Sequence, residues 1–238
     1  LTRPDAPKGR GRKLAAPPAR EVAERLGLRV LQPERPLPGL DLGADTVVVC
    51  AYGLLIPETL LAEGLWLNVH PSLLPRWRGA APVERAILAG DSVTGVTIHE
   101  TVKELDAGPV AAQESFPLSL DDDAGTVFAR SAEIAERLLL RVLADGSPTF
   151  VPQAEDGVTY AEKIGPADRV LDLARPAEEL VRHVHALSPH IGARAELHGR
   201  PVTVWRAQVG ADGAFEPLEV QPEGGRRMPA DAWLRGLR

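Results

Sequence analysis

Cysteine is almost missing from this chain: Cys50 is the only one in 238 residues. A single thiol excludes a disulfide framework and a cysteine-based zinc site, and it fits a reducing compartment. Long apolar runs are missing as well. None approaches the roughly 18 residues that a membrane span needs, which argues against an integral membrane protein. The first residues, LTRPDAPKGRGRK, are polar, so no signal peptide is expected and the expected location is cytoplasmic. Lysine is scarce, 4 against 23 Arg, a bias we attribute to the nucleotide composition of the source. No internal repeat stands out, and no G-x-G-x-x-G follows any strand, which weakens a generic dinucleotide-binding reading.

With 44% hydrophobic residues and a net charge of −6, the chain is globular in composition and long enough for one large or two modest domains. Strands and helices alternate through the first 150 residues. TVVVC (46–50) reads as a short strand covered on both faces, and WLNVH (66–70) as a second strand ended by Pro71. PAREVAERL (18–26) and APVERAILAG (81–90) read as helices closed by glycine. GVTIHETV and VAAQES read as two strands close together. Thr126 to Leu143 carries an apolar stripe of Val127, Phe128, Ile134, Ala135, Leu138, Leu139, Val142 and Leu143 at helical spacing. This pattern implies an α/β layer architecture with a mostly parallel sheet, mixed where the strands around Val96 and Val110 meet. Residues 151–165 are polar and bear Pro and Gly, as a linker does. A helix (176–187), a hairpin around His198-Gly199-Arg200 and a strand at PLEVQP then form a small, mostly β domain over 166–238.

Chemistry concentrates at Asn68-Val69-His70-Pro71-Ser72-Leu73-Leu74-Pro75. Asn68 and His70 fall on one face at the C-terminal end of a strand, where α/β sheets bind ligands. An amide and an imidazole there suit an oxyanion donor and a general base, although a structural histidine is the competing reading. Asp106, in the turn Asp-Ala-Gly-Pro, either bonds nearby backbone or fixes the tautomer of His70. A basic cluster of Arg3, Lys8, Arg10, Arg12 and Lys13 faces only Asp5, and reads either as phosphate attraction or as a solvated loop.

The run NVHPSLLPRWRGAAPVERAILAGDSVTGVTIHETVKELDAGPVAAQ resembles the core of methionyl-tRNA formyltransferases almost residue for residue. AYGLLIPETLL is similar to that family's folate-site strand and loop, and TRPDAPKGRGRKL to its basic loop. VTYAEKIGPADRVLDL resembles its linker, and VQPEGGRRMPADAWLRGLR its C-terminal end. NVHPSLLP with DAGP alone marks the wider superfamily that uses 10-formyltetrahydrofolate, including enzymes acting on an amino-sugar nucleotide or a ribonucleotide amine. The resemblance implies a Rossmann-like formyltransferase domain over 1–150, followed by a C-terminal β-barrel (OB-like) domain. It also implies a Gly-Thr-Pro strand and a helix ahead of Leu1, and longer barrel strands than Val209–Gly213 allows.

The activity implied is formyl transfer from 10-formyltetrahydrofolate to the α-amino group of methionyl initiator tRNA, with no metal. Asn68, His70 and Asp106 are then catalytic. Ser72, Leu73, Leu74 and Pro75 line the folate site, and Tyr52, Gly53 and Leu54 either touch the pterin through backbone or form a plain turn. Arg10 probes the acceptor end of the tRNA, while Lys8, Arg12 and Lys13 add phosphate attraction that salt weakens. Arg76 and Arg78, on either side of Trp77, either guide the tRNA's 3′ end or pair locally. A monomer is expected. Among other features, the His183/His185 pair points apart on a helix, and Asp121–Asp123 reads as a solvated helix entry. His99 is expected at the surface and Cys50 buried and inert, with Trp66 and Trp205 as packing residues.

Overall fold

A computed structural model describes residues 1–8, 13–36, 39–40 and 42–237. Its elements run β1 (Ala6–Lys8), β2 (Lys13–Ala15), α1 (Pro18–Arg25), β3 (Thr46–Cys50), α2 (Glu58–Leu61), β4 (Leu65–His70), β5 (Arg78–Gly79) and α3 (Pro82–Ala89). These are followed by β6 (Val93–Glu100), β7 (Val110–Pro117), α4 (Ala124–Ala144), β8 (Tyr160–Ala161) and α5 (Ala177–Leu187). Last come β9 (Ala193–Leu197), β10 (Arg200–Val209), β11 (Phe215–Pro222), β12 (Met228–Pro229) and α6 (Ala230–Arg235). No helix among the described residues is long and apolar enough to cross a membrane.

The chain divides into two compact units, Leu1–Asn68 with Thr101–Lys103, and Val69–Glu100 with Glu104–Arg238. In the first, β1 and β2 form an antiparallel hairpin that pairs Lys8 with Lys13. Arg10 and Arg12 lie outside the described residues. Helix α1 has Pro18 in its first turn, no buried residue, and an Arg20 guanidinium bonded to Asp5 and Glu24. Strand β3 departs from the expected strand covered on both faces. Thr46, Val48 and Cys50 are exposed and only Val47 and Val49 are half-buried, because β3 is the edge of the sheet order β3-β4-β6-β7 and one of its faces is open. Cys50 is therefore exposed and not buried. Trp66 is buried as expected, its indole N–H donating to the Leu60 carbonyl.

In the second unit β6 and β7 pair antiparallel, since the nine residues joining them are too few for a parallel crossover. Helix α4 packs on this pair. Its buried residues, Ala124, Val127, Ser131, Ile134, Leu138 and Val142, recur every three or four positions, while Leu143 at the edge of the stripe is exposed. Asp123 caps it, accepting from the Thr126 N–H while Thr126 Oγ1 accepts from the Asp123 N–H, which explains the acidic entry. Leu138 is 1% exposed. Truncating it to alanine is expected to cost about 2–5 kcal/mol, read as a lowered urea midpoint at unchanged slope.

Residues 151–161 are more than a linker. Val151 bridges Val110, and β8 pairs in parallel with β5, matching Arg78 to Tyr160 and Gly79 to Ala161. The tail is an antiparallel sheet in the order β12-β11-β10-β9, with α5 packed on β10 and α6 on β11. Leu180, Val184, Leu187, Val204, Val220 and Trp233 form its core. His198 and Gly199, both at positive φ (51° and 69°), make the two-residue turn between β9 and β10. The short stretch at Val209–Gly213 serves as the turn from β10 to β11, with the Gly210 N–H donating to the Ala214 carbonyl.

Candidate active site

His70 ends β4 and is 4% exposed. Its Nε2 lies 2.8 Å from the Trp77 carbonyl, to which it donates, and its Nδ1 lies 3.6 Å from Asp106 Oδ2. Asp106 arrives on the turn before β7 with φ 47°, and Trp77 sits at φ 64°. Positive φ is uncommon for residues with side chains, though Asp tolerates it better than Trp, and such residues collect at functional sites. The expected pairing of His70 with Asp106 is thus present in the fold. Asn68 stands two residues before His70 on β4, on the same side by strand alternation.

Asp106 has two further partners that the sequence did not announce. The Gly79 N–H donates to its Oδ2 at 2.8 Å. His99, expected at the surface, is 1% exposed, with Nε2 3.6 Å from Asp106 Oδ1 and Nδ1 donating to the Glu100 carbonyl at 2.8 Å. Alternation failed here because Thr94 through His99 are all buried, so both faces of β6 are covered. A register shift between Ile98 and His99 also re-aims the imidazole. The one signal in the sequence was proximity, since His99 precedes Asp106 by seven positions.

The two histidines flank one carboxylate, their rings 6.1 Å apart and edge-on. Burial pushes the proton affinity of His70 down, and the Asp106 charge and Trp77 carbonyl oppose it only in part. Burial works to raise the Asp106 carboxyl, but His99, His70 and the Gly79 N–H outweigh it and hold it below the usual range. Near neutral pH the site therefore pairs a carboxylate with a neutral His70. In the tautomer that donates from Nε2, the basic atom is Nδ1, and a proton arriving there meets the Asp106 charge.

The Ser72–Pro75 loop is held from beneath. Ser72 is fully buried, its Oγ donating to the Arg76 carbonyl, so its hydroxyl serves the loop. Thr97 Oγ1 donates to the Ser72 carbonyl, and Gln113 Nε2 donates to the Leu74 carbonyl and to Thr97 Oγ1. Leu74 is buried, while Leu73 and Pro75 are half-buried. In the first unit, the carbonyls of Tyr52 and Gly53 accept from the Arg3 guanidinium at 2.8 and 2.6 Å, and Leu54 is half-buried.

Both arginines beside Trp77 have local partners. Arg76 forms a two-pronged pair with Asp91 at 2.8 and 2.7 Å and lies over the Trp77 ring, whose indole N–H donates to the same carboxylate. Arg78 donates to Gln153 Oε1. Lys13 is exposed on β2. A cleft of about 410 Å³ opens beside this cluster, lined by Arg78, Ala107, Pro109, Gln153 and Glu155 among others. A larger groove of about 570 Å³ in the tail, walled by Leu173, Leu197, Phe215 and Trp233, contains none of the candidate site residues. The histidines of α5 are occupied by backbone, His183 by the Asp168 carbonyl and His185 by those of Leu120 and Ala207.

The family described as formyl transferase matches residues 1–143, and its C-terminal domain matches residues 163–217. A methionyl-tRNA formyltransferase of Halorhodospira halophila is 41% identical over 273 residues, covering 100% of this chain and 87% of the relative. That of Dechloromonas aromatica is 38% identical over 265 residues, covering 99% and 86%. Among solved structures, methionyl-tRNA formyltransferase from Clostridium thermocellum superposes with a TM-score of 0.65 at 16% identity, over 79% of each chain. HypX from Aquifex aeolicus in complex with tetrahydrofolic acid gives a TM-score of 0.64 at 20% identity, over 81% of this chain and 38% of that one. These two likenesses concern the fold.

Proposed function

The chain belongs to the methionyl-tRNA formyltransferases, and we propose that it carries the formyl group of 10-formyltetrahydrofolate to the α-amino group of methionyl initiator tRNA through Asn68, His70 and Asp106. The observation that carries the residue assignment is the buried His70 set against the carboxylate of Asp106, in a chain that aligns over its whole length with 87% of such a relative. The amine nitrogen attacks the formyl carbon and an anion develops on the formyl oxygen. The Asn68 amide donates to that oxygen. His70 takes the proton the amine must lose, directly or through water, and Asp106 stabilises the imidazolium that results. As the bond from the formyl carbon to N10 breaks, the proton passes on to N10.

The loop 72–75 forms the wall of the folate site, with Ser72 acting by shaping it and Leu73, Leu74 and Pro75 supplying apolar surface. On the family resemblance, Tyr52, Gly53 and Leu54 touch the pterin through backbone. Lys8, Arg10, Arg12 and Lys13 attract tRNA phosphates. We keep residues 1–150 as the catalytic domain, 151–165 as its tie and 166–238 as the tRNA-side domain. The catalytic residues proposed all lie in one chain, so a monomer suffices, and a role in translation initiation places it in the cytoplasm.

The test supplies 10-formyltetrahydrofolate with radiolabelled methionine charged on initiator tRNA. Formation of formyl-methionyl-tRNA is expected. Transfer to an amino-sugar nucleotide in its place would keep the chemistry and refute the acceptor.

A further inference from the structure

Gln153 lies in the polar stretch after α4, outside both matched family segments. Its amide nitrogen donates to the carbonyls of Asp106 and Gly108, each at 2.8 Å. Its Oε1 accepts from the Arg78 guanidinium at 3.1 and 2.7 Å. A glutamine amide offers two N–H donors and one acceptor oxygen, which matches two carbonyls and one guanidinium. Glutamate would set a second acceptor against both carbonyls.

The same stretch is fastened on either side of Gln153. Val151 and Val110 exchange backbone hydrogen bonds at 2.7 and 2.9 Å, just beyond the Asp106 turn. Further along, Thr159 Oγ1 accepts from the Trp77 N–H at 2.9 Å, the Thr159 carbonyl from the Arg78 N–H at 2.9 Å, and the Ala161 carbonyl from the Ala80 N–H at 2.8 Å. Gly79, whose N–H reaches Asp106, is pressed so closely on β8 that a Cβ would stand 2.8 Å from the Ala161 carbonyl oxygen. Both segments that determine where the Asp106 carboxylate lies, the 106–108 turn and the 77–81 loop, are therefore laced to residues 151–161. The same ties hold the left-handed backbone of Asp106 in place.

We propose that Gln153 is a positioning residue for formyl transfer, pinning the Asp106–Gly108 turn to Arg78 so that the carboxylate stays between His70 and His99. The proposal rests on the functional reading above for its kinetic consequence.

The test uses the full chain with Gln153→Ala and Gln153→Glu. A carboxylate displaced by about 1 Å is expected to lower kcat about 10- to 100-fold, with KM for tRNA and folate within about twofold. The acid limb of the pH–rate profile is expected to move to lower pH in Gln153→Ala, because the Asp106 charge no longer favours protonated His70 to the same extent. Gln153→Glu, which keeps its bond to Arg78 and its size, is expected to fall at least as far. Hydrogen exchange at the Gly79 amide, which needs no substrate, is expected to accelerate in both variants. That readout separates failure of this proposal from failure of the formyl-transfer reading.

Wild-type kcat in a folded Gln153→Glu enzyme would overturn the proposal, and so would unchanged protection of the Gly79 amide. A loss of kcat with an unmoved acid limb would assign Gln153 to stability alone and overturn it as well.

Discussion

A His70→Ala enzyme is expected to form formyl-methionyl-tRNA about 10²–10⁴ times more slowly than the unsubstituted chain, the range that a positioned general base supplies. Folate binding is expected to persist, because the 72–75 loop, proposed above to line the folate site, is held by Thr97 and Gln113 and not by the imidazole. The comparison is a single-turnover assay alongside calorimetric titration with the folate. Full turnover would remove His70 from its assigned role. The pH dependence has a definite sign. His70 must be neutral to take a proton, and burial pushes its proton affinity below the ordinary histidine value of about 6.5. The rate is therefore expected to be flat near neutral pH and to decline only in acid, as the imidazole protonates.

Asp106→Asn is the second large effect, a loss on the order of 10²–10⁴-fold in kcat. Asparagine keeps an oxygen to accept the Gly79 N–H, so the substitution removes charge more than geometry. Without the carboxylate the imidazolium formed at His70 is unsupported, and the acid limb is expected to shift to still lower pH. Stability gives a second signature. Asp106 binds its proton more weakly in the folded chain than its ordinary value of 3.8 implies, so its ionised form stabilises the fold above that pH. This contribution is lost as pH falls through the lowered value. Whatever stability gap separates the two proteins at neutral pH should narrow in strong acid. A gap that stayed constant from neutral to strong acid would contradict the assigned ionisation, and wild-type kcat in the variant would contradict the role.

Local pattern carried much of this protein. The caps and apolar spacing of α3 and α4, the hairpin at His198-Gly199 and the strand carrying Asn68 and His70 are properties of short stretches, where sterics and alternation act within a few residues. Long-range pairings were legible only through motif resemblance. Nothing local says that the Asp106 turn meets His70, because the two lie 36 positions apart and meet through β4, β6 and the turn that follows β6.

Three readings turned on neighbours that a sequence does not display. His99 was assigned to the surface by alternation, a rule that holds only where one sheet face meets water, and β6 is covered on both. Cys50 was assigned to the interior by its apolar strand, yet β3 is a sheet edge with an open face. Arg76 reads from the sequence as either guiding tRNA or pairing locally, and its partner Asp91 lies fifteen residues away in the chain.

The sequence by itself determined the element types and the strand end that carries the imidazole, because these depend on backbone propensity and side-chain period. The family and the class of reaction came from the resemblance of its motifs and not from such local rules. Only the tertiary structure decided which carboxylate faces which ring, that a second histidine shares it, and that a polar connecting stretch locks the turn beneath it. Those depend on burial and on hydrogen bonds between residues far apart in the chain, whose strength exists only once folding has excluded water from between them.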